Sequence, residues 1–337
     1  MRFLTVLLPV VFLCLTTCAP APAKDAVVRL TEDLVGFYNA TLPPELPGYP
    51  DGETGPSVYL AGEPGRRSYL FRPAADIVRS EFPRDTLHTS DLFTYLTFYD
   101  EPREDERYSG TASEYEPADS SRFGSSVRVL EMATPAVYHQ DNPNESALGY
   151  LSVFAHELAH TTVDFPEPDR IPRMLEQMMV FERNTNLINE ITSENNLLLA
   201  ALAADSDTLR NEKITAYLAR KDQRTAAMLP LDVVAENYYE LSEGYGRYVE
   251  HLMQQNATPG RFVRLEKVFG PLPAYNLADR RWMYDIVGNA YFYTLGFNKY
   301  RILSDAGDFR FAASLRGESE EMLDDYLRKL VGVAPAE

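Results

Sequence analysis

Cysteine is almost absent from this chain of 337 residues, and both cysteines, Cys14 and Cys18, lie close to the N-terminus. The rest of the chain can form no intramolecular disulfide, which excludes a small scaffold held together by cystines. Its stability must therefore come from a hydrophobic core. The 21 tyrosines, 17 phenylalanines and abundant leucine are sufficient to build one.

Basic residues are also scarce, since 32 Lys and Arg stand against 50 Asp and Glu, for a formal net charge of −18. Nucleic acids and anionic lipid surfaces require a basic face, so both are poor candidates for partners. Histidine is rarer still. Only five histidines are present, and two of them fall four residues apart in one short motif.

The N-terminal segment, residues 1–23, resembles an export signal with an apolar stretch at residues 4–15 that is too short to span a membrane as a mature helix. Ala-Pro-Ala at residues 21–23 is typical of a signal-peptidase site. Leu-Thr-Thr-Cys at residues 15–18 is instead similar to a lipobox, in which Cys18 would carry the lipid anchor. We expect an exported protein, extracellular or periplasmic, and the choice between a soluble and a lipid-anchored form stays open.

A His-Glu-x-x-His motif lies within the apolar run of residues 153–160. Residues i and i+4 share one face of a helix, so His156 and His160 can direct two imidazoles at one metal ion. Glu157 projects toward the side where an activated water would sit, and it can accept that water's proton and pass it to a leaving amine. The alternative is a core helix with two incidental histidines, but unpaired polar groups in so apolar a segment are costly.

The part before this motif, residues 24–140, is predicted to be mixed α/β. Residues 27–38 read as an amphipathic helix, and the Pro/Gly-rich stretch 42–65 as loops or edge strands. Residues 92–99 and 127–132 are typical of strands. We hypothesise that the strand at 127–132, just upstream of the motif, borders the cleft and pairs with extended substrate.

The remainder, residues 141–337, is predicted to be mainly helical, with long helices at 173–204, 208–224 and 231–253. No repeat indicates a solenoid, and no second independent domain is required. The overall expectation is an α+β fold, in which a small mixed N-terminal part precedes a helix-dominated part.

Catalytic zinc usually has three protein ligands and one open position, so the motif needs a third ligand. The polar face of the predicted helix 231–253 offers four glutamates: Glu236, Glu240, Glu243 and Glu250. An ordinary solvated acidic face is the simplest explanation for most of them. Gly244 and Gly246 argue against it locally, because each costs about 1 kcal/mol in a helix interior relative to alanine and glycine there usually permits close approach.

Leu-Ser-Glu-Gly-Tyr-Gly-Arg-Tyr at residues 241–248 resembles the Leu-Asn-Glu-Gly-Phe-Ala segment of aminopeptidase-N-like gluzincins, whose glutamate is the third zinc ligand. The resemblance implies that Glu243 is the ligand here, in a zincin-like fold. One departure is plain, since 82 residues separate His160 from Glu243, far more than in that family. The intervening helices would have to be an insertion outside the site.

A rival segment exists. Asn-Glu-Ile-Thr-Ser-Glu at residues 189–194 resembles the Asn-Glu-x-x-Ser-Asp segment of thermolysin-like peptidases, which implies Glu190 as the third ligand. Glu182, Glu236 and Glu240 are the remaining alternatives.

Tyr-Thr-Leu-Gly-Phe at residues 293–297 resembles a downstream Tyr-x-x-Gly element of the same gluzincins. The resemblance implies that Tyr293 donates a hydrogen bond to the oxyanion of the tetrahedral intermediate. The Gly-x-Met-Glu-Asn segment, with which those aminopeptidases grip the free amine of a substrate, has no equivalent at residues 130–133. Endopeptidase and exopeptidase action therefore both stay open.

Together these features predict an exported zinc metallopeptidase of the gluzincin type that acts on a peptide or protein substrate. Zinc would be held by His156, His160 and Glu243, with Glu157 as general base and acid and Tyr293 as oxyanion donor. The alternative is a catalytically silent, zincin-like envelope protein that binds a peptide or protein partner.

Overall fold

The computed structural model describes residues 25–48, 57–62, 67–71, 86–89, 94–99, 110–115, 127–163, 185–286 and 290–334. The predicted export signal at residues 1–23, the first part of the helix predicted at 173–204, and Glu182 lie outside these ranges. Within them, no helix combines the length and the apolarity needed to cross a membrane.

Six strands form one mixed sheet in the order β3-β4-β2-β1-β6-β5: β1 Ser57–Ala61, β2 Arg67–Phe71, β3 Thr86–Thr89, β4 Thr94–Tyr99, β5 Thr111–Tyr115 and β6 Val127–Ala133. Strands β1 and β6 run parallel, with Val58 opposite Leu130, and the other neighbouring pairs are antiparallel. Strand β5 thus lies at one end of the described sheet, and β6, which follows it in the chain, returns to an interior position before the helical part begins.

The two strands predicted at 92–99 and 127–132 correspond to β4 and β6. Two expectations about edges were wrong. Strand β1, inside the Pro/Gly-rich stretch 42–65, is an interior strand between β2 and β6. Strand β6 is interior as well, because β5 pairs with its other side, so β6 has no free backbone edge to offer a substrate. Among the described strands, β5 ends the sheet on this side. It is a short, polar strand without a hydrophobic pattern.

Ten α-helices and one 3-10 helix are described: α1 Ala26–Thr41, α2 Pro135–Asp141, α3 Ala147–Thr162, α4 Thr185–Leu202, α5 Asp207–Thr225, α6 Pro230–Asn256, α7 Val263–Phe269, the 3-10 helix Leu277–Met283, α8 Ala290–Asp305, α9 Ala312–Leu315 and α10 Leu323–Val331. The helices predicted at 27–38, 208–224 and 231–253 match α1, α5 and α6, each a few residues longer than predicted. The α+β class is thereby confirmed, with helix dominating.

Helix α3, which carries the two motif histidines, lies between the sheet and α6. Its first turn is capped by Ser146, whose side-chain oxygen accepts a hydrogen bond from the Gly149 N–H at 3.3 Å. Leu148, Leu151 and Phe154 are fully buried, as their helical spacing requires. One continuous apolar core includes residues from both the mixed and the helical part of the chain.

Helix α6 crosses α8 at an unusually short distance. A Cβ atom on Gly244 would lie 2.5 Å from the Gly296 Cα, and one on Gly296 would lie 2.0 Å from the Glu240 carbonyl oxygen. Any larger residue at either position would force the helices apart. The mid-helix Gly244 is therefore explained by close backbone approach, as its cost to the helix indicated.

Candidate metal centre

Helices α3 and α6 bring three ligating side chains together. The Glu243 Oε2 atom lies 3.1 Å from His156 Nε2 and 3.6 Å from His160 Nε2, and the three ligating groups all lie within 4.8 Å of one another. Two ligands bound tetrahedrally at about 2.0–2.1 Å from a zinc ion stand about 3.3 Å apart. Two imidazoles and one carboxylate so close together could hold a metal ion.

A second carboxylate of α6 orients the first histidine. The Nδ1–H group of His156 donates a hydrogen bond to Glu250 Oε1 at 2.8 Å, which directs Nε2 toward Glu243. Glu250 follows Glu243 by seven residues, or about two helical turns, and so projects from the same face. His160 is held less firmly, since its Nδ1 lies 3.5 Å from the Ser242 side-chain oxygen.

Gly246 makes room for the first histidine. A Cβ atom there would lie between 2.6 and 2.8 Å from three atoms of the His156 ring. The ring therefore packs directly on the backbone of α6, between Glu243 and Glu250. Gly244 thus permits close approach of α8, and Gly246 permits close approach of the His156 ring.

The electrostatics of the centre favour a cation. Burial opposes protonation of His156, but hydrogen bonds to Glu243 and Glu250 outweigh it and raise the pKa of this histidine to about 10. Burial likewise works against ionisation of Glu243, yet the two histidines hold its pKa well below the usual range. A proton on His156 is thus one way to balance the two carboxylates, and a divalent metal is another.

Glu157, the predicted general base, is half-buried beside the two histidines. Gly110, the residue before β5, lies against it: a Cβ atom on Gly110 would stand 3.3 Å from the Glu157 Cγ and 2.4 Å from the Val153 Cγ1. Gly110 also has φ of +116°, a conformation that strongly favours glycine. The beginning of the terminal strand is thereby placed directly against the predicted base.

Tyr293 reaches the centre from α8. Its ring stacks on that of His156, with 5.5 Å between centroids and an interplanar angle of 25°. Burial raises the pKa of Tyr293 well above its usual range, and the charge of Glu243, to which the hydroxyl hydrogen-bonds, raises it further. The tyrosine therefore keeps its proton and can donate it in a hydrogen bond.

The structure separates the rival ligands from the histidines. Glu190 is exposed on α4 and does not belong to the metal-ligating group found within the described residues. Glu236 and Glu240 are buried, but Arg224 and Lys221 respectively bind them at 2.5 and 2.7 Å. Glu243 is thus the glutamate that the fold brings to His156 and His160.

The sequence alone did not single out Glu250, Ser242 or Arg247, whose side chains lie beside His156, His160 and the Tyr293 ring respectively. The seven-residue spacing places Glu250 on the same helix face as Glu243, and this distinguishes it from the other acidic residues of the helix. Ser242 and Arg247 carry no comparable signal, because their contacts depend on how α6 packs against α3 and α8.

Comparisons with protein-family models, with curated proteins and with solved structures gave no match to this chain.

Proposed function

We propose that the protein is a zinc metallopeptidase with a zincin-like, gluzincin-type catalytic centre. The observation that carries this proposal is the meeting of Glu243 with His156 and His160, across 82 intervening residues, while Glu157 lies beside them. A zinc ion bound by these three residues would polarise a peptide carbonyl and lower the pKa of a water molecule.

Glu157 accepts the proton of the attacking water and delivers it to the leaving amine. Its position next to His156 on α3 supports this role, as does its neighbourhood to Tyr293, whose pKa it helps to raise. Tyr293 donates a hydrogen bond to the oxyanion that forms on the substrate, and burial of its ring makes that bond strong. Glu250 positions His156.

The substrate we propose is an extended peptide or protein segment that pairs with β5. This strand is the last one described on its side of the sheet, and Gly110, the residue before it, lies against Glu157. Backbone pairing at such an edge gives affinity with little dependence on sequence. Pairing with an extended substrate, which the sequence predicted for β6, is therefore proposed for β5. Export, with a lipid anchor at Cys18 as one form, would give the enzyme envelope or extracellular substrates.

Metal content tests the ligand set. The wild-type protein, Glu243→Ala and Glu190→Ala are incubated with zinc, desalted and analysed for bound metal. We expect one zinc per chain in the wild type and in Glu190→Ala, and loss or weakening of binding in Glu243→Ala. Loss of bound zinc in Glu190→Ala alone would identify Glu190 as the third ligand. Absence of zinc from all three proteins would overturn the proposal.

Cleavage of a mixed peptide library tests the reaction, with Glu157→Gln as the matched control. We expect chelator-sensitive cleavage by the wild type, reduced by about 10²–10⁴-fold in Glu157→Gln although zinc stays bound. Cleavage that survives this substitution would refute the assigned base. Full zinc loading without any cleavage would favour the alternative, a silent envelope protein that binds a peptide or protein partner.

A further inference from the structure

A buried arginine lies next to the metal centre. Arg247 follows Glu243 by one turn of α6, and the residue is only 8% exposed. Its guanidinium carbon lies 5.0 Å from the centre of the Tyr293 ring and 4.9 Å from that of Trp282. The cation is thus held between the proposed oxyanion donor and a second aromatic ring.

The hydrogen-bonding capacity of Arg247 is largely unused. Nη1 donates to the Thr294 side-chain oxygen at 3.3 Å, whereas the fully buried Nε has no hydrogen-bond partner among the residues that the structure describes. Within the same residues, no hydrogen bond is formed by Nη2. No carboxylate of the described residues lies within 4.0 Å of this guanidinium, although Glu250 and Glu243 act on it from farther away. Burial lowers the pKa of Arg247, as expected for a cation short of partners.

Arg224 on α5 is also buried, and in contrast to Arg247 its guanidinium has carboxylate partners. It donates hydrogen bonds to both oxygens of Glu194 and to both oxygens of Glu236. A buried charge without such partners is costly, so an unpaired one beside a reaction centre calls for a ligand.

We propose that Arg247 binds a carboxylate of the substrate, so that peptides with an anionic group near the scissile bond are preferred. This inference rests on the proposed function. Guanidinium and carboxylate form strong, charge-assisted hydrogen bonds, and the aromatic contacts fix the guanidinium without using its donors. The carboxylate can come from a free C-terminus or from an acidic side chain.

The position of Trp282 provides a readout that is independent of catalysis. This residue is the only tryptophan in the sequence, and it is 39% exposed, with its ring beside Arg247. A ligand that engages the guanidinium therefore changes the surroundings of a single fluorophore.

The experiment uses the zinc-loaded full chain with Glu157→Gln, so that peptides bind without turnover. N-acetyl-tetra-alanine and its C-terminal amide are titrated while Trp282 fluorescence is followed. A second pair, both amidated, carries glutamate or glutamine in place of one alanine. We expect the anionic member of one pair to bind about 10- to 100-fold more tightly, and which pair responds identifies the source of the carboxylate.

In Arg247→Gln the preference should vanish, and in Arg247→Lys it should fall but not disappear, because the charge remains without the planar fork. Arg261→Gln is the matched control, since Arg261 lies 5.2 Å over the Phe37 ring, another guanidinium–aromatic contact. This control should keep the full preference.

Three results would overturn the inference. The first is equal binding of all four peptides by the parent protein, and the second is an unchanged preference in a folded Arg247→Gln or Arg247→Lys protein. The third is a preference that persists in Arg247→Gln but is lost on zinc removal, which would place the carboxylate on the metal.

The proposed function fails separately, through absence of zinc or of cleavage. An Arg247-dependent anion preference without cleavage would retain the binding site and reject the enzyme. Cleavage by the wild-type protein with equal rates for the acid, amide, glutamate and glutamine peptides would retain the enzyme and reject the Arg247 site.

Discussion

Helix α6 carries two pairs of buried or half-buried glutamates, and the pairs differ in what neutralises them. In the first half, Glu236 and Glu240 are bound by basic side chains of neighbouring helices. In the second half, Glu243 and Glu250 face His156, and no lysine or arginine within the described ranges lies in ion-pair distance of them. In the first half of α6 the carboxylates are thus neutralised by lysine and arginine, and we call this the complete region. In the second half they are not neutralised in this way by the described residues.

The complete region is a buried network of four carboxylates and three cations: Glu194, Glu236, Glu240, Asp324, Lys221, Arg224 and Lys299. Its members come from α4, α5, α6, α8 and α10, so it connects four of the helices that follow α3 to α6. Burial alone would suppress the charge of Lys221, but Asp324 and Glu240 hold its pKa well above the usual range. The network thus connects α6 and α8, the helices that carry Glu243 and Tyr293.

The comparison teaches that a buried carboxylate is a sign of function only where the protein supplies no cation of its own. All four glutamates of α6 looked alike as residues of one acidic face. Their partners distinguish them, because Lys221, Arg224 and Lys299 saturate the first pair while the second pair is left with histidines, which can give up a proton for a metal.

The largest expected effect is on the network. Lys299 is fully buried and binds Glu240 and Asp324. Lys299→Met leaves these carboxylates short of a cation, and we expect the free energy of unfolding to fall by about 3–5 kcal/mol, with or without zinc. Urea denaturation measures it. Lys329→Met, at the largely exposed ion pair with Glu321, should change it by less than about 0.5 kcal/mol. Equal effects of the two substitutions would contradict the assigned role of the network.

A smaller effect is expected where α6 touches a metal ligand. Gly246→Ala places a methyl group against the His156 ring, so we expect a loss of about 1–3 kcal/mol in stability together with weaker zinc binding. Gly36→Ala in α1 is the matched control, because nothing lies within 4 Å of its Cβ position. It should stabilise the protein by about 0.5–1 kcal/mol through helix propensity. A Gly246→Ala protein with normal zinc affinity would show that the ring tolerates displacement.

Next in size is the effect of the residue that positions His156. Glu250→Gln can still accept the hydrogen bond from Nδ1 but loses the negative charge, so we expect zinc affinity to decrease about 10- to 100-fold. Competition with a chromophoric chelator measures this affinity. Glu212→Gln, an exposed glutamate of α5, removes the same charge elsewhere and should leave zinc affinity unchanged. A similar decrease in both variants would indicate a general electrostatic effect rather than orientation of the histidine.

The sequence predicted those parts of the site that depend on local spacing or on short motifs. His156, Glu157 and His160 follow from helical periodicity, Gly244 and Gly246 from the cost of glycine in a helix, and the choice of Glu243 from a resemblance. The order of the strands could not be predicted, because β5 lacks a hydrophobic pattern and its pairing with β6 is non-local. For the same reason the cations opposite Glu236 and Glu240, and the isolation of Arg247, became visible only when the helices were assembled.

The last prediction concerns the pH dependence of zinc affinity, which should depend on Glu243 and Glu250 in the second half of α6 and not on Glu236 and Glu240 in the first. In the metal-free centre Glu243 and Glu250 raise the pKa of His156 to about 10. The imidazole therefore carries a proton throughout pH 6–8, and zinc must displace it. Zinc affinity should then fall about tenfold for each pH unit lost over the whole range from 8 to 6. A histidine with an ordinary pKa of about 6.5 would instead give an affinity that is nearly constant between pH 7 and 8.

Chelator competition at pH 8, 7 and 6 distinguishes the two cases, and a plateau above pH 7 would mean that the carboxylates of α6 do not hold a proton on this ligand. Lys299→Met should keep the same slope, because its carboxylate partners belong to the first half of the helix.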